Sequence, residues 1–334
     1  PYEKDLARAL AGLAARRVIS RIWEKDWTVW KADPAEIGNR LGWLTSPQAM
    51  PAQVPRLRSL AATARRAGCD KALVLGMGGS SLAPLVMASV FETGQGGLDL
   101  DVLDSTDPAA VLRARKRHPA RKTLFIVSSK SGTTVETSSF FSYFWNAAGV
   151  AVGREKAPGH FAVITDPGTP LETLAGRLGI KNVFQGDPEI GGRFSALSPF
   201  CLVPAALKGV PLGRMLEAAV AMSDRCREGA DPRGNPGALL GAVLGVLGRA
   251  GRDKLTIILP PRFRTFGLWL EQLIAESTGK EGRGILPVIG EADGAPTEDA
   301  RDRLYVHLGT TAEGRNDGRL RRAVEAGAPV VRIA

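Results

Sequence analysis

Thr123-Leu124-Phe125-Ile126-Val127-Ser128-Ser129-Lys130-Ser131-Gly132-Thr133-Thr134-Val135-Glu136-Thr137 joins an apolar run to a polar loop, and residues 138–148 continue with helical character. Strand, loop and helix in that order turn backbone N–H groups toward one point. The first amides of a helix lack an intrahelical acceptor and lie at the positive end of its dipole. A loop of small hydroxyl residues with a Gly and a Lys therefore suits a phosphate dianion. The hydroxyls of Ser129, Ser131 and Thr134 add donors. The same residues would also make an ordinary hydroxyl-rich turn. Thr133 and Glu136 have the three-residue spacing of a capping box, which gives Glu136 a duty at the helix start rather than in chemistry.

Outward from this stretch the pattern repeats. Lys71-Ala72-Leu73-Val74-Leu75 reads as a buried strand running into Gly76-Met77-Gly78-Gly79-Ser80-Ser81-Leu82-Ala83-Pro84, a second place where a glycine turn lets backbone approach a ligand. Strands follow at 99–103 and 161–165, and a second series at 254–259, 284–289, 303–308 and 329–333, with helix-length segments between them. Alternating strand and helix predicts an α/β fold of doubly wound, mostly parallel sheets, with ligands outside the carboxyl ends of the strands. The expected organisation is a helical extension over residues 1–60, a first, phosphate-binding domain over 61–210 and a second domain over 211–334. Within the extension, Trp23, Trp27 and Trp30 stand at i, i+4 and i+7, the spacing of one core-facing helical stripe.

Composition narrows the function classes. With 334 residues, 44% hydrophobic and 23% charged, the chain is ordinary for a globular protein of about two domains. No apolar run approaches the roughly 20 residues that span a bilayer. Three cysteines, Cys69, Cys201 and Cys226, show neither paired nor metal-type spacing, which fits a reducing cytoplasm. The excess of 44 Lys+Arg over 34 Asp+Glu would suit nucleic acid if it clustered. Its densest run, residues 113–122, lacks aromatic residues for base stacking and reads as a solvated helix end. The dinucleotide fingerprint wants a glycine where Ser81 stands, and Gly279-Lys280 is followed by Glu281 rather than the hydroxyl of a Walker loop.

Two further stretches can carry chemistry. In Gly191-Gly192-Arg193-Phe194-Ser195 the glycines bring backbone close to a ligand, and a guanidinium beside them could stabilise an oxyanion; a surface arginine is the plain alternative. Ser198 and Pro199 then start a helix as N-cap and first residue. In Leu268 to Lys280, Gln272 and Glu276 share a helix face, and Gly279 is the expected stop. Glu276 then lies at the negative end of the dipole, where a carboxylate is disfavoured and a proton acceptor is gained. His118, His160 and His307 sit in a charged run, before a strand and within a strand, which are positions of packed or solvated histidines.

Taken in series, GMGGSSLAP, VLDSTDP, SSKSGTTVET, GGRFSALS and EQLIAESTGK resemble the glucose-6-phosphate (phosphoglucose) isomerase family in order and spacing. The chain is most similar to the isomerase module of bacterial bifunctional transaldolase/glucose-6-phosphate isomerases, with Asn39 to Pro47 resembling the join between modules. The resemblance implies two sugar-isomerase (SIS) domains and an aldose–ketose isomerase acting through an enediol. Residue by residue it implies that Ser80, Ser129, Lys130, Ser131 and Thr134 hold the substrate phosphate beside the Gly79 backbone. It makes Gly192 and Arg193 the enediolate-stabilising loop, Gln272 a substrate contact and Glu276 the base. It implies neither metal nor organic cofactor, a sugar phosphate as ligand, and room for an upstream transaldolase module; composition and hydropathy point to no nucleic-acid or membrane partner, and a homodimer stays open. Two departures stand out: no stretch after Gly284 matches the family's ring-opening histidine, and the family's final Gln- and Lys-bearing helix is missing, so the second domain is expected to be incomplete. A non-catalytic SIS module that binds sugar phosphate is the alternative from another class.

Overall fold

The computed structural model describes residues 2–227, 231–291, 301–312 and 317–333. Two compact units form, Ala35–Val220 and Pro1–Pro34 with Ala221–Ala334. The chain opens with α1 (Glu3–Ala15) and α2 (Val18–Trp23). The expected tryptophan stripe does not form. Helix α2 ends at Trp23, Lys25 turns left-handed at φ 59°, and Asp26 caps a separate 3-10 turn by accepting the Thr28 N–H at 3.0 Å. An aspartate that can satisfy nearby amides competes with the helix ladder, and the i, i+4 register is lost. Trp27 and Trp30 are consequently 39% and 45% exposed, and only Trp23 is anchored, its indole N–H donating to the Cys226 carbonyl at 3.0 Å.

In the unit Ala35–Val220, α3 (Ser46–Ala49) and α4 (Val54–Arg66) precede β1 (Lys71–Leu75). There follow α5 (Leu82–Val90), β2 (Asp99–Leu103), α6 (Pro108–Arg117), β3 (Thr123–Ser128), α7 (Val135–Val152), β4 (Phe161–Thr165), α8 (Pro170–Arg177), β5 (Asn182–Gln185) and α9 (Pro199–Lys208). The strands form one parallel sheet in the order β2-β1-β3-β4-β5, with Leu75 opposite both Leu103 and Val127. Because side chains alternate along a strand, Ala72, Val74, Leu124 and Ile126 pack with Leu57 and Leu60 of α4 and Leu202 of α9, whereas Leu73, Leu75, Phe125 and Val127 pack with Phe140, Phe141 and Phe144 of α7. Coverage on both faces is why these strands read as unbroken apolar runs. Phe125 lies 5.0 Å from Phe144 and 5.2 Å from Phe161 between ring centroids, so truncating Phe144 to Ala should cost about 3–5 kcal/mol.

Helix α10 (Leu212–Arg227) leads to the other unit, where α11 (Pro236–Arg249) is capped by Asn235, whose side chain accepts the Ala238 N–H at 2.9 Å. Then come β6 (Lys254–Ile258), α12 (Arg264–Thr278), β7 (Leu286–Ile289), β8 (Arg303–Leu308), α13 (Gly318–Glu325) and β9 (Val330–Ile333). The sheet is again parallel, in the order β7-β6-β8-β9. Leu255, Ile257, Leu304 and Val306 bury one face with Leu247, while Ile258 and Tyr305 pack with Leu320 and Ala323 of α13. Two doubly wound parallel sheets are what the alternation of strand and helix predicts. Among the described residues no helix is long and apolar enough to cross a membrane.

Candidate active site

In the unit Ala35–Val220, β1 lies between β2 and β3, so successive connections leave β1 and β3 on opposite sides. Open α/β sheets bind ligands in the crevice at such a switch point, outside the carboxyl ends of the strands. Two loops open there, Gly76–Ser81 after β1 and Ser129–Thr134 after β3. Ser128 Oγ links them by donating to the Ser80 carbonyl at 3.3 Å.

The Ser129–Thr134 loop carries a dense set of hydroxyls. Ser129 Oγ and Thr134 Oγ1 are 3.0 Å apart, Ser131 Oγ and Thr133 Oγ1 2.9 Å. Gly132 holds φ +68°, and a Cβ there would stand 2.9 Å from that of Thr169. Helix α7 starts one residue later than the capping-box spacing predicts: Thr134 is the N-cap, its side chain makes no cap bond, and the Thr133 N–H goes to Ser131 Oγ at 3.2 Å. The left-handed turn at Gly132 shifts the helix start, and the expected Thr133–Glu136 box does not form. Ser138 makes the first backbone bond back to Thr134, which leaves the amides of Val135, Glu136 and Thr137 for a ligand. Buried Thr137 Oγ1 has no partner among the described residues, and a cavity of about 220 Å³ lies against Ser129, Gly132 and Thr137. Lys130 points elsewhere: its ammonium pairs with the Asp166 carboxylate and lies 3.3 and 3.5 Å from the carbonyl oxygens of Asp187 and Pro188.

The third loop, Gly191–Ser195, meets the first. A Cβ on Gly79 would lie 2.3 Å from the Gly192 carbonyl oxygen, so a glycine is required for the two backbones to touch. Arg193 places its guanidinium 4.8 Å over the Phe194 ring, and Phe194 stacks on Trp43 at 5.4 Å with 15° between the planes. Ser198 caps α9 as its sequence predicts. The unit thus gathers Gly79, Ser80, Ser129, Lys130, Ser131, Thr134, Gly192 and Arg193 on its loops. The Trp43 stack and the Lys130–Asp166 pair escaped sequence reading; the Gly42-Trp43 dipeptide within Asn39 to Pro47 was the one signal for the first.

Gln272 and Glu276 belong to the other unit, on α12. Gln272 Nε2 donates to Glu276 Oε1 at 2.9 Å, which fixes both on one face, and Gln272 Oε1 is buried without a hydrogen-bond partner among the described residues. Lys280 Nζ caps the helix end on the carbonyls of Glu276 and Ser277 at 2.5 and 3.4 Å. The histidines are packed: His118 bonds the Ala114 carbonyl at 3.1 Å, His160 the Thr123 carbonyl at 3.1 Å, and His307 is 3% exposed within β8. Burial holds His118 below the ordinary imidazole range. Among the described residues no three His, Cys, Asp or Glu side chains form a metal-binding group.

Comparison with known proteins bears on the family and the fold. A glucose-6-phosphate isomerase from Carboxydothermus hydrogenoformans is 34% identical over 251 residues, covering 70% of this chain and 53% of that protein. One from Cyanothece sp. is 34% identical over 214 residues, covering 62% of this chain and 39% of that protein. The chain thus spans about half or less of the length of these two relatives. Among solved structures, the hypothetical protein TT0462 from Thermus thermophilus superimposes with a TM-score of 0.79 at 23% identity, covering 99% of this chain and 86% of that one, which speaks for the fold. Residues 62–284, two thirds of the sequence and every loop described above except the Trp43 segment, match the phosphoglucose isomerase family, and the chain belongs to that family.

Proposed function

We propose that the protein interconverts glucose 6-phosphate and fructose 6-phosphate. The observation that carries the reading is the meeting of hydroxyl-rich loop, open α7 N-terminus and Arg193 loop around the β1/β3 switch point. The hydroxyls of Ser80, Ser129, Ser131 and Thr134, with main-chain N–H groups of the Gly79 and Lys130 loops, hold the phosphate dianion. Glu276 takes the proton from the second carbon of the open-chain aldose. The electrons of that C–H bond form the carbon–carbon double bond of an enediolate, and the charge on the first oxygen is met by Arg193 beside the Gly192 backbone. After the oxygens exchange a proton, the carboxyl of Glu276 returns its proton to the first carbon and the second becomes the ketone. Gln272, bonded to Glu276, keeps the carboxylate oriented and contacts the sugar. No metal or organic cofactor takes part in this scheme.

A homodimer and a transaldolase module fused upstream belong to the same proposal; the fusion rests on the resemblance of Asn39 to Pro47 alone. The test is formation of fructose 6-phosphate from glucose 6-phosphate by the complete gene product. Tight binding of the sugar phosphate without turnover would replace the isomerase by a non-catalytic binding module.

A further inference from the structure

Lys130 sits in the phosphate loop by sequence, yet its ammonium faces Asp166 at the end of β4 and the carbonyls of Asp187 and Pro188. Asp166 is bound into the same frame through its main chain, its N–H donating to the Lys130 carbonyl at 3.1 Å. Asp166 Oδ1 is buried without a hydrogen-bond partner among the described residues, so Lys130 is the charge that compensates this carboxylate. A lysine neutralised in this way has little net charge to give a phosphate.

The turn that Lys130 grips leads directly into the Arg193 loop. Asp187 organises it, its carboxylate accepting the Glu189 N–H at 2.8 Å and its carbonyl the Ile190 N–H at 3.0 Å. From the other side the Gly42 N–H donates to the Glu189 carbonyl at 3.1 Å, and Arg40 reaches the Pro188 carbonyl at 3.4 Å. A Cβ on Gly42 would lie 2.9 Å from that of Glu189, which marks how closely the two segments pack. Trp43 then stacks on Phe194, next to Arg193. Residues 187–190 are therefore held between Lys130 and the 40–43 segment.

We infer that Lys130 is a positioning residue: through Asp166 and the 187–190 turn it ties the phosphate loop to the loop that carries Arg193, with Trp43 bracing that loop from the opposite side. The inference rests on the isomerase reading for the meaning of Arg193, but not for the contacts themselves. Its consequence is that anchoring the phosphate and placing the guanidinium are mechanically coupled, so loss of the lysine charge acts on turnover rather than on phosphate affinity.

The experiment uses the complete gene product and four variants: Lys130→Met, Asp166→Asn, their combination, and Lys130→Arg, which keeps the ion pair. Three quantities are read: kcat, the inhibition or binding constant of inorganic phosphate, and the part of the near-ultraviolet circular dichroism that a reference Trp43→Phe substitution removes, which separates the Trp43–Phe194 stack from the other aromatic residues. A substitution far from the chemistry that misplaces a catalytic group by about 1 Å can cost about a hundredfold in rate, so kcat should fall roughly tenfold to hundredfold in Lys130→Met and in Asp166→Asn. Phosphate affinity should hold, the near-ultraviolet signal should change in both, the double variant should be no worse than the worse single one, and Lys130→Arg should stay near wild type. Phosphate affinity falling in Lys130→Met while Asp166→Asn behaves as wild type would make Lys130 a phosphate ligand and overturn the inference. If Lys130→Met does not fold, Lys130→Arg against Asp166→Asn carries the same comparison. A wild-type protein without isomerase activity would defeat the isomerase reading, while phosphate binding and the near-ultraviolet signal would still decide the role of Lys130.

Discussion

The Ser195 hydroxyl lies 3.1 Å from the carbonyl oxygen of Gly79 and 2.7 Å from that of Gly192, so one proton serves both backbones where the first and third loops touch. With Ser195 only 3% exposed, water does not replace it readily. Ser195→Ala should cost about 1–3 kcal/mol of stability, the range for leaving buried acceptors unpaired. Gly79→Ala, which must fit a methyl group against the Gly192 carbonyl, should cost about as much by overpacking and should also depress turnover. Chemical denaturation and kcat on both variants check this; wild-type turnover in Gly79→Ala would show that the loops need not touch.

The proposed phosphate-binding role of the Ser129–Thr134 loop is tested separately. Ser129→Ala or Thr134→Ala removes a donor and the 3.0 Å contact between them, and each should weaken sugar-phosphate binding by about 1–3 kcal/mol, the scale of a hydrogen bond to a charged group. Binding of the unphosphorylated sugar should hardly change. Calorimetry with glucose and glucose 6-phosphate separates the two, and equal losses for both would remove the loop from the phosphate site.

How far the sequence reaches is visible in these residues. The strands and the Gly- and Ser-rich loops after β1 and β3 were readable because a doubly covered parallel strand is a short apolar run with little internal polarity and the turns need small residues. The start of α7 moved by one position because Gly132 takes φ +68°, a choice that spacing does not encode. The tryptophan stripe failed because Asp26 offered the backbone a competing partner. The Lys130–Asp166 pair was not readable because Asp166 lies 36 residues away, just after the neighbouring strand β4, and only strand order brings the two together. Trp43 and Phe194, both in short turns far apart in sequence, meet because the 40–43 segment docks on the 187–190 turn through the Gly42 N–H.

Cysteine reactivity tests burial in the sheet unit. Burial, helped by Asp70, pushes the Cys69 thiol up to about 11, and full burial pushes the Cys201 thiol up to about 12. Since the thiolate is the reactive form, alkylation at mild alkaline pH should label Cys226 alone in the native protein and all three cysteines after denaturation. Rapid native labelling of Cys69 or Cys201, read by peptide mass spectrometry, would contradict the packing of α4 or α9.

His118 gives stability a pH dependence of known sign. Burial lowers its folded-state value below the ordinary 6.5, with Asp101 acting in the opposite sense. As pH falls through 6.5 the unfolded chain takes up a proton that the folded chain refuses. The site's contribution is therefore present above that pH and is lost as pH falls toward the folded value. Thermal midpoints should drop more steeply between neutral and mildly acidic pH for wild type than for His118→Gln. Parallel profiles would mean that the imidazole is not held neutral by burial.

The central claim turns on Glu276, whose carboxylate is positioned by Gln272 at 2.9 Å. Glu276→Gln keeps the size of the side chain and removes the proton acceptor, so turnover should fall by at least the ~10²–10⁴ attributed to general acid–base catalysis, roughly 3–5 kcal/mol of transition-state stabilisation. Sugar-phosphate affinity should change little. The decisive measurement follows exchange of the second-carbon proton of glucose 6-phosphate with deuterated solvent in the complete gene product, beside formation of fructose 6-phosphate. Wild type should exchange and turn over while the Gln variant does neither. Full exchange in the Gln variant would place the base on another residue, and a wild type that binds fructose 6-phosphate without exchange or turnover would contradict the isomerase itself.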